Sequence, residues 1–159
     1  MKLNKAGMQW MRVLHIFSVS IWFGSVVCIY GYTAICFFYL NENDFLIIAT
    51  LVPQLYQKVV MPAAIFTIIQ GIIYGFFPSW GFFKYKWVLL KWLFVLIIAL
   101  LTFCGIGQMF SVLAKVESTH FVGGLSDGGL VLLFISLQIL LMLIMIVLSV
   151  FKPFKPRTF

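Results

Sequence analysis

Long runs of apolar residues constrain the fold of this 159-residue chain more than any other feature. The segments near residues 10–40, 59–77, 86–110 and 129–151 are each long enough for a bilayer-spanning helix, which takes about 20 apolar residues, and the first is longer than a minimal span. The runs lack the alternation of polar and apolar residues that is typical of membrane β-barrel strands. We therefore predict an all-α polytopic membrane protein, with residues 1–159 forming a single four-transmembrane-helix bundle.

The composition excludes several functional classes. The chain is 64% hydrophobic and 9% charged, whereas soluble domains carry about 25% charged residues. So little charge cannot cover so much apolar surface in water, which excludes a soluble enzyme, a disordered chain and a nucleic-acid-binding protein. The lipid bilayer is therefore the first expected partner.

The net charge of +7 carries a topology signal. Cations cluster at the two ends of the chain and in the second loop, and the first loop, with Glu42 and Asp44, has none. Since cytoplasmic flanks are enriched in Lys and Arg, both termini and the second loop are predicted in the cytoplasm, in a bacterial inner membrane. The cations that support this orientation are Lys2, Lys5, Arg12, Lys84, Lys86, Lys152, Lys155 and Arg157.

The second apolar segment is predicted in two parts. Its first part, from Phe45 to Lys58, carries polar residues and is expected partly at the membrane interface. The spanning part is predicted to begin near Val59, with Pro62 as the source of a kink. Lys58 fits the charge pattern only if its segment dips back from the outer face.

Two ionisable residues fall inside predicted spans, where charge is costly and is commonly functional. His15 lies about five residues into helix 1, and Lys91 about five residues into helix 3. The two are therefore expected at similar depth and face one cavity if helices 1 and 3 are neighbours or diagonal partners. The alternatives are a histidine hydrogen-bonded within the bundle and a lysine that extends its stem to the headgroups.

The helix face around His15 suits a porphyrin. Ser18 and Trp22 follow His15 at i+3 and i+7, and Arg12 lies one turn nearer the cytoplasm. An imidazole there could ligate iron, with Trp22 packed on the ring and Arg12 or Lys86 paired with propionates. Lys91 has three open roles. It could neutralise a propionate, ligate iron as a neutral amine, or transfer a proton, and proton transfer would be a catalytic role.

Other polar residues have simpler interpretations. Gln70 and Gln138 are expected to form interhelical hydrogen bonds, with a quinone carbonyl or a water molecule as the alternative partner. His120 falls in the third loop and is expected to be a surface histidine.

Small residues and thiols are expected to be structural. Ser20, Gly24 and Cys28 repeat at every fourth position of helix 1 and predict a close-packing seam. The cysteines, Cys28, Cys36 and Cys104, have no CxxC spacing and are expected to be buried free thiols.

Several segments resemble the membrane-bound, quinone-linked protoporphyrinogen oxidase family. These are LHIFSVSIWFG (Leu14 to Gly24), MPAAIFTIIQGIIYG (Met61 to Gly75), KWLFVL (Lys91 to Leu96) and KPF (Lys152 to Phe154). Copper-resistance D-type domains share the same general layout. The resemblance implies a four-helix bundle that binds haem b, with His15 as axial ligand, Lys91 at the same site, and quinone-coupled redox chemistry on a tetrapyrrole.

The chain departs from that family at three places that bear on activity, one of which is an acidic approach to helix 4 that is reduced to Asp127. CIYGY (Cys28 to Tyr32) lacks the arginine of the oxidases, and LTFCGIGQ (Leu101 to Gln108) lacks their histidine in helix 3. The chain is thus more similar to uncharacterised relatives of the oxidases.

Three functions are compatible with the sequence. The first is a haem b-binding, quinone-linked redox protein, with porphyrinogen oxidation as one reaction. The second is a copper-resistance-type transport or accessory protein, and the third is a structural subunit without a cofactor. A haem spectrum separates the first from the others, and cellular metal accumulation tests the second. The oligomeric state stays open, a homo-oligomer included.

Overall fold

Four apolar helices, each long enough to cross a membrane, form the structure, a computed structural model that describes residues 5–39, 51–76, 85–106 and 125–151. Helix α1 is Lys5–Tyr39, α2 is Met61–Phe76, α3 is Lys86–Leu100 and α4 is Leu125–Phe151. The predicted all-α fold with four membrane-spanning helices is confirmed for these residues.

The helices form a ring in chain order. Helix α1 packs against α2 and α4, and α4 also packs against α3. A Cβ atom built on Gly71 of α2 would lie 3.8 Å from the Trp92 ring of α3, so these two helices are also close. Helices α1 and α3 therefore lie diagonally across the bundle, one of the two arrangements anticipated for His15 and Lys91.

Successive helices run antiparallel. His15 near the start of α1 contacts Tyr74 near the end of α2, and Lys91 near the start of α3 contacts Ser149 near the end of α4. These four residues therefore lie at the same end of the bundle, which we call the His15 end.

The buried core lies along the bundle axis and draws on all four spans. Large apolar side chains on the outer faces remain exposed, including Phe103 at 74% and Phe151 at 75%, as expected of surfaces that contact lipid. The buried apolar residues are Trp22, Val26, Ile29, Val52, Tyr56, Val60, Trp87, Ile98, Val131, Ile135, Leu141 and Met142.

The second span is one helix with a π-helical turn, Tyr56–Val60, directly before α2. The Met61 N–H donates to the Tyr56 carbonyl, an i−5 bond. Pro62 has no N–H to donate to Lys58 and its ring crowds the preceding turn, which explains the wider winding. The residues before Val59 are therefore part of the span: residues 51–55 are helical, and Val52 and Tyr56 are buried.

The other predicted bounds differ by a few residues. Helix α1 begins at Lys5 and α4 at Leu125, earlier than residues 10 and 129, because helices continue past the apolar core into polar flanks. Helix α3 continues into a second π-helical segment, Leu101–Ile106, where the described part ends. The predicted loops, the charged tail and His120 lie outside the described residues.

The predicted packing seam faces away from the bundle. Ser20 and Cys28 are exposed, and a Cβ on Gly24 would meet nothing within 4 Å. The expectation that Cys28 is buried is therefore wrong, because this face of α1 lies opposite its contacts with other helices. The side chains of Cys36 and Cys104 lie outside the described residues.

Candidate functional site

The His15 imidazole lies between α1 and α2, partly buried. Its ring meets the Tyr74 ring edge to face, with centroids 5.4 Å apart and planes at 88°. The Gln70 side chain, one turn before Tyr74, lies beside the imidazole. Two residues of α2, Gln70 and Tyr74, thus contact the imidazole.

Three buried polar atoms of α1 and α2 accept or donate no hydrogen bond of good geometry within the described part of the chain. They are His15 Nδ1, Gln70 Oε1 and Trp22 Nε1. Gln70 is only 7% exposed and Trp22 only 4%, so neither side chain reaches the outside. An unsatisfied polar group in a membrane interior costs several kcal/mol, so each of these atoms is a position where a polar partner would be stabilising.

Lys91 is held against α4. Its Nζ donates to Ser149 Oγ and lies 5.2 Å from the centroid of the Trp87 ring. The Ser149 hydroxyl in turn donates to the Met145 carbonyl at 2.9 Å. The ammonium is near enough to His15 for its charge to act on the imidazole. The structure thus brings the predicted pair to one end of the bundle from diagonal helices.

Two further cations flank this end. Arg12 is exposed one turn before His15, and its charge acts on the Tyr74 hydroxyl. Lys86 is the exposed first residue of α3. Both residues lie nearer the helix ends than the buried part of the site. Anionic groups of a ligand would contact them there.

Ser18 and Trp22 share the His15 face of α1 and are buried, each 4% exposed. The Ser18 hydroxyl donates to the Leu14 carbonyl at 2.7 Å, so its proton is already used. Trp22 belongs to the apolar core, about 10 Å along the helix axis from His15 at 1.5 Å per residue. Trp22 thus lies deeper in the bundle than His15.

A second polar layer lies deeper in the bundle. The Tyr56 hydroxyl donates to Gln138 Oε1 at 3.2 Å and lies 3.2 Å from Thr102 Oγ1. Gln138 is 1% exposed, about 16 Å along α4 from Ser149. The interhelical hydrogen bond expected for Gln138 is confirmed. Gln70 on α2 has a side-chain hydrogen-bond interaction with His15 on α1.

The sequence did not predict four of the residues that make these contacts, which are Tyr74, Ser149, Tyr56 and Thr102. Tyr74 follows Gln70 at i+4, which was a usable signal, since residues at that spacing share a helix face. The serine and threonine carried no signal, because such hydroxyls commonly bond to their own helix, as Ser149 does.

Within the described ranges, no group of three or more His, Cys, Asp or Glu side chains is placed to hold a metal ion. A haem iron needs fewer ligands from the protein, because the porphyrin supplies four nitrogens and the protein supplies only axial ligands. A lone, partly buried imidazole with cations nearby fits that requirement.

Comparison of the chain with protein-family models, curated proteins and solved structures found no significant match. Function is therefore inferred from the arrangement of side chains at the His15 end, together with the resemblance of the sequence segments described above.

Proposed function

We propose that this integral membrane protein binds haem b at the His15 end of its bundle, with His15 as an axial ligand of the iron. The observation that carries the proposal is a partly buried imidazole, fixed by the Tyr74 ring and within reach of the Lys91 charge, at one end of an apolar bundle.

The charges at this end suit the anionic side of a haem. Propionates prefer cationic donors at the rim of a site, where Arg12 and Lys86 are exposed. Lys91 is partly buried and held by Ser149, so it supplies a fixed positive charge further in. The described part of the site carries no acidic side chain to oppose these three cations.

The aromatic side chains suit the porphyrin plane. Tyr74 packs edge-on against the imidazole and thereby restricts its rotation. Trp22 is buried on the same face of α1, deeper in the bundle. A bound haem would supply one-electron chemistry, while the protein supplies the ligand, the charge and the apolar surroundings.

We further propose a quinone-linked redox role, with quinone as electron acceptor and a tetrapyrrole such as porphyrinogen as one substrate. The resemblance of the His15, Pro62 and Lys91 segments to quinone-linked protoporphyrinogen oxidases supports this role. Lys91 is the residue to which we assign a catalytic part, through its charge beside the imidazole.

For the orientation we propose a bacterial inner membrane with the His15 end facing the cytoplasm. Arg12, Lys86 and Lys91 lie at that end, and the cation-rich flanks of the sequence adjoin it. The positive-inside rule places such flanks in the cytoplasm.

The visible spectrum of the detergent-purified protein from haem-replete cells tests haem binding. We expect a Soret band and, after reduction, an α-band at the b-type position, with about one haem per chain by pyridine haemochrome assay. A colourless, folded protein would refute the proposal. Complementation of a strain that lacks protoporphyrinogen oxidase tests the reaction separately.

A further inference from the structure

Gln70 lies on the face of α2 that turns toward His15. It precedes Tyr74 by four residues, so the two side chains share one helix face, and the Tyr74 ring packs against the imidazole at a centroid distance of 5.4 Å. The Gln70 side chain has a hydrogen-bond interaction with the imidazole and is only 7% exposed. One turn of α2 thus supplies both an aromatic and a polar neighbour to the histidine.

The atoms of this hydrogen bond follow from what each group can donate or accept. His15 Nδ1 and Gln70 Oε1 are both buried, and neither makes a hydrogen bond of good geometry with any other described residue. The amide oxygen only accepts, so a bond between these two atoms requires a proton on Nδ1. Because a buried polar group without a partner is costly in an apolar bundle, the form of the ring with a proton on Nδ1 is favoured there.

The other buried glutamine shows that an amide oxygen serves as an acceptor between helices of this bundle. Gln138 Oε1 accepts from the Tyr56 hydroxyl of the second span at 3.2 Å. Both glutamines are almost fully buried, Gln138 at 1% and Gln70 at 7% exposure. They differ in the donor, since a tyrosine has one hydroxyl proton, whereas the proton of a neutral imidazole occupies either ring nitrogen. Of the two glutamines, Gln70 therefore has a partner with two forms between which a hydrogen bond can select.

We propose that Gln70 is the positioning residue of His15: its Oε1 accepts from the Nδ1–H group, which fixes the imidazole in the Nδ1–H tautomer and leaves Nε2 for the iron. Which ring nitrogen carries the proton is set by the hydrogen bond that this nitrogen makes. The Tyr74 ring, at 88° to the imidazole plane, opposes the rotation that would break the bond. Gln70 touches neither iron nor substrate and acts through His15.

The assignment of Nε2 to the iron rests on the proposed haem ligation, whereas the tautomer of His15 does not. Metal-ligating histidines almost always donate their other ring N–H to a carboxylate, a backbone carbonyl or a water molecule, which fixes the ring orientation. Here the amide oxygen of the neighbouring helix takes that part. Because the tautomer exists in the haem-free protein, it can be measured there independently of haem binding.

The test uses the haem-free full-length protein with 15N-labelled histidine in lipid nanodiscs, in slightly alkaline buffer, and it measures the 15N chemical shifts of the imidazole nitrogens. The chain has two histidines, so the signals that remain in His120→Ala belong to His15. A ring nitrogen with a proton differs strongly in shift from one without, and couplings to the carbon-bound ring protons distinguish Nδ1 from Nε2. We expect His15 to be mainly the Nδ1–H tautomer. Predominance of any other form of the ring would overturn the proposal before Gln70 is substituted.

Gln70→Met and Gln138→Met form a matched pair, since each replaces one buried amide with an apolar side chain of similar volume. We expect the ratio of the Nδ1–H to the Nε2–H tautomer of His15 to fall several-fold in Gln70→Met and to stay unchanged in Gln138→Met. Gln70→Glu keeps an acceptor oxygen and should keep the proton on Nδ1. An equal ratio in the two folded methionine variants, or an Nδ1 without a proton in Gln70→Glu, would contradict the role of Gln70. Because these samples contain no haem, a colourless protein from haem-replete cells would refute the haem proposal and leave the tautomer result standing.

Discussion

Lys91 connects two helices through a charged hydrogen bond. Its ammonium donates to Ser149 on α4, stacks over Trp87 on its own helix and acts electrostatically on His15. A lysine that merely extended to the headgroups would have no need of a fixed partner. The arrangement therefore supports a role for the charge itself at the proposed haem site.

Replacing Lys91 with Met should lower the midpoint potential of the bound haem. A nearby cation favours the ferrous form, which carries one positive charge fewer, so its removal favours the ferric form. The expected shift is on the order of tens of millivolts at an effective dielectric constant of about 20. Redox titration of the α-band measures it. Lys58→Met, an exposed lysine near the opposite end, is the control, and equal shifts in both variants would contradict the assignment.

The Tyr56 hydroxyl should stabilise the fold through its bond to Gln138. We expect Tyr56→Phe to lower the free energy of unfolding by about 1 kcal/mol, within the range measured for interhelical hydrogen bonds. Steric trapping in bicelles measures the free energy of unfolding of each variant. A double-mutant cycle with Gln138→Leu then gives the coupling energy between Tyr56 and Gln138. A coupling energy of zero would show that the bond contributes nothing.

At the residue scale the sequence predicted His15 and Lys91 as the ionisable pair, because charged groups are rare within apolar runs. It did not predict their partners. Tyr74, Gln70 and Ser149 become partners through helix rotation, which depends on contacts between residues far apart in the chain. A hydroxyl or amide group within an apolar helix does not by itself indicate which neighbouring helix its side chain faces.

Among elements, the spans were the predictable part and their internal winding was not. Apolar runs of sufficient length predict a membrane helix whatever its neighbours. Because these helices are apolar on nearly every side, hydrophobicity does not reveal which face turns inward. Pro62 predicted a local irregularity, but its outcome, a π-helical turn at Tyr56–Val60, depends on the core packing of Tyr56 and Val60.

Contact between α2 and α3 limits the size of residue 71. A Cβ at Gly71 would lie 3.8 Å from Trp92, an ordinary contact, whereas a longer side chain would overlap the indole. We expect Gly71→Leu to destabilise the bundle by about 1–3 kcal/mol through overpacking, and Gly71→Ala to be tolerated. Gly24→Leu is the control, because that glycine faces open space. Similar loss of stability in both leucine variants would refute the contact.

For the whole molecule, the start of α1 and the end of α4 lie at the same end of the bundle, so we expect both to face the same side of the membrane. The cation distribution predicts that this side is the cytoplasm. We expect a fluorescent-protein fusion at either terminus to fluoresce and an alkaline phosphatase fusion at either terminus to be inactive. An active phosphatase at the C-terminus would reverse the orientation and place the His15 end outside.

The bundle brings together, from all four spans, the residues of the proposed haem site. Helices α1 and α2 supply the imidazole and its aromatic neighbour, while α3 and α4 hold the lysine across the bundle. The site thus needs all four spans, although its chemistry is concentrated in a few side chains. Loss of haem on disruption of any span would follow from this arrangement.

Haem binding through His15 is the central claim, and ligand replacement tests it most directly. The haem content and spectrum of His15→Gly are measured with and without added imidazole, beside His120→Ala. We predict that His15→Gly loses the b-type bands, that imidazole restores them by filling the vacated ligand position, and that His120→Ala keeps them. Unchanged bands in His15→Gly without imidazole would contradict the assignment of His15 as the iron ligand.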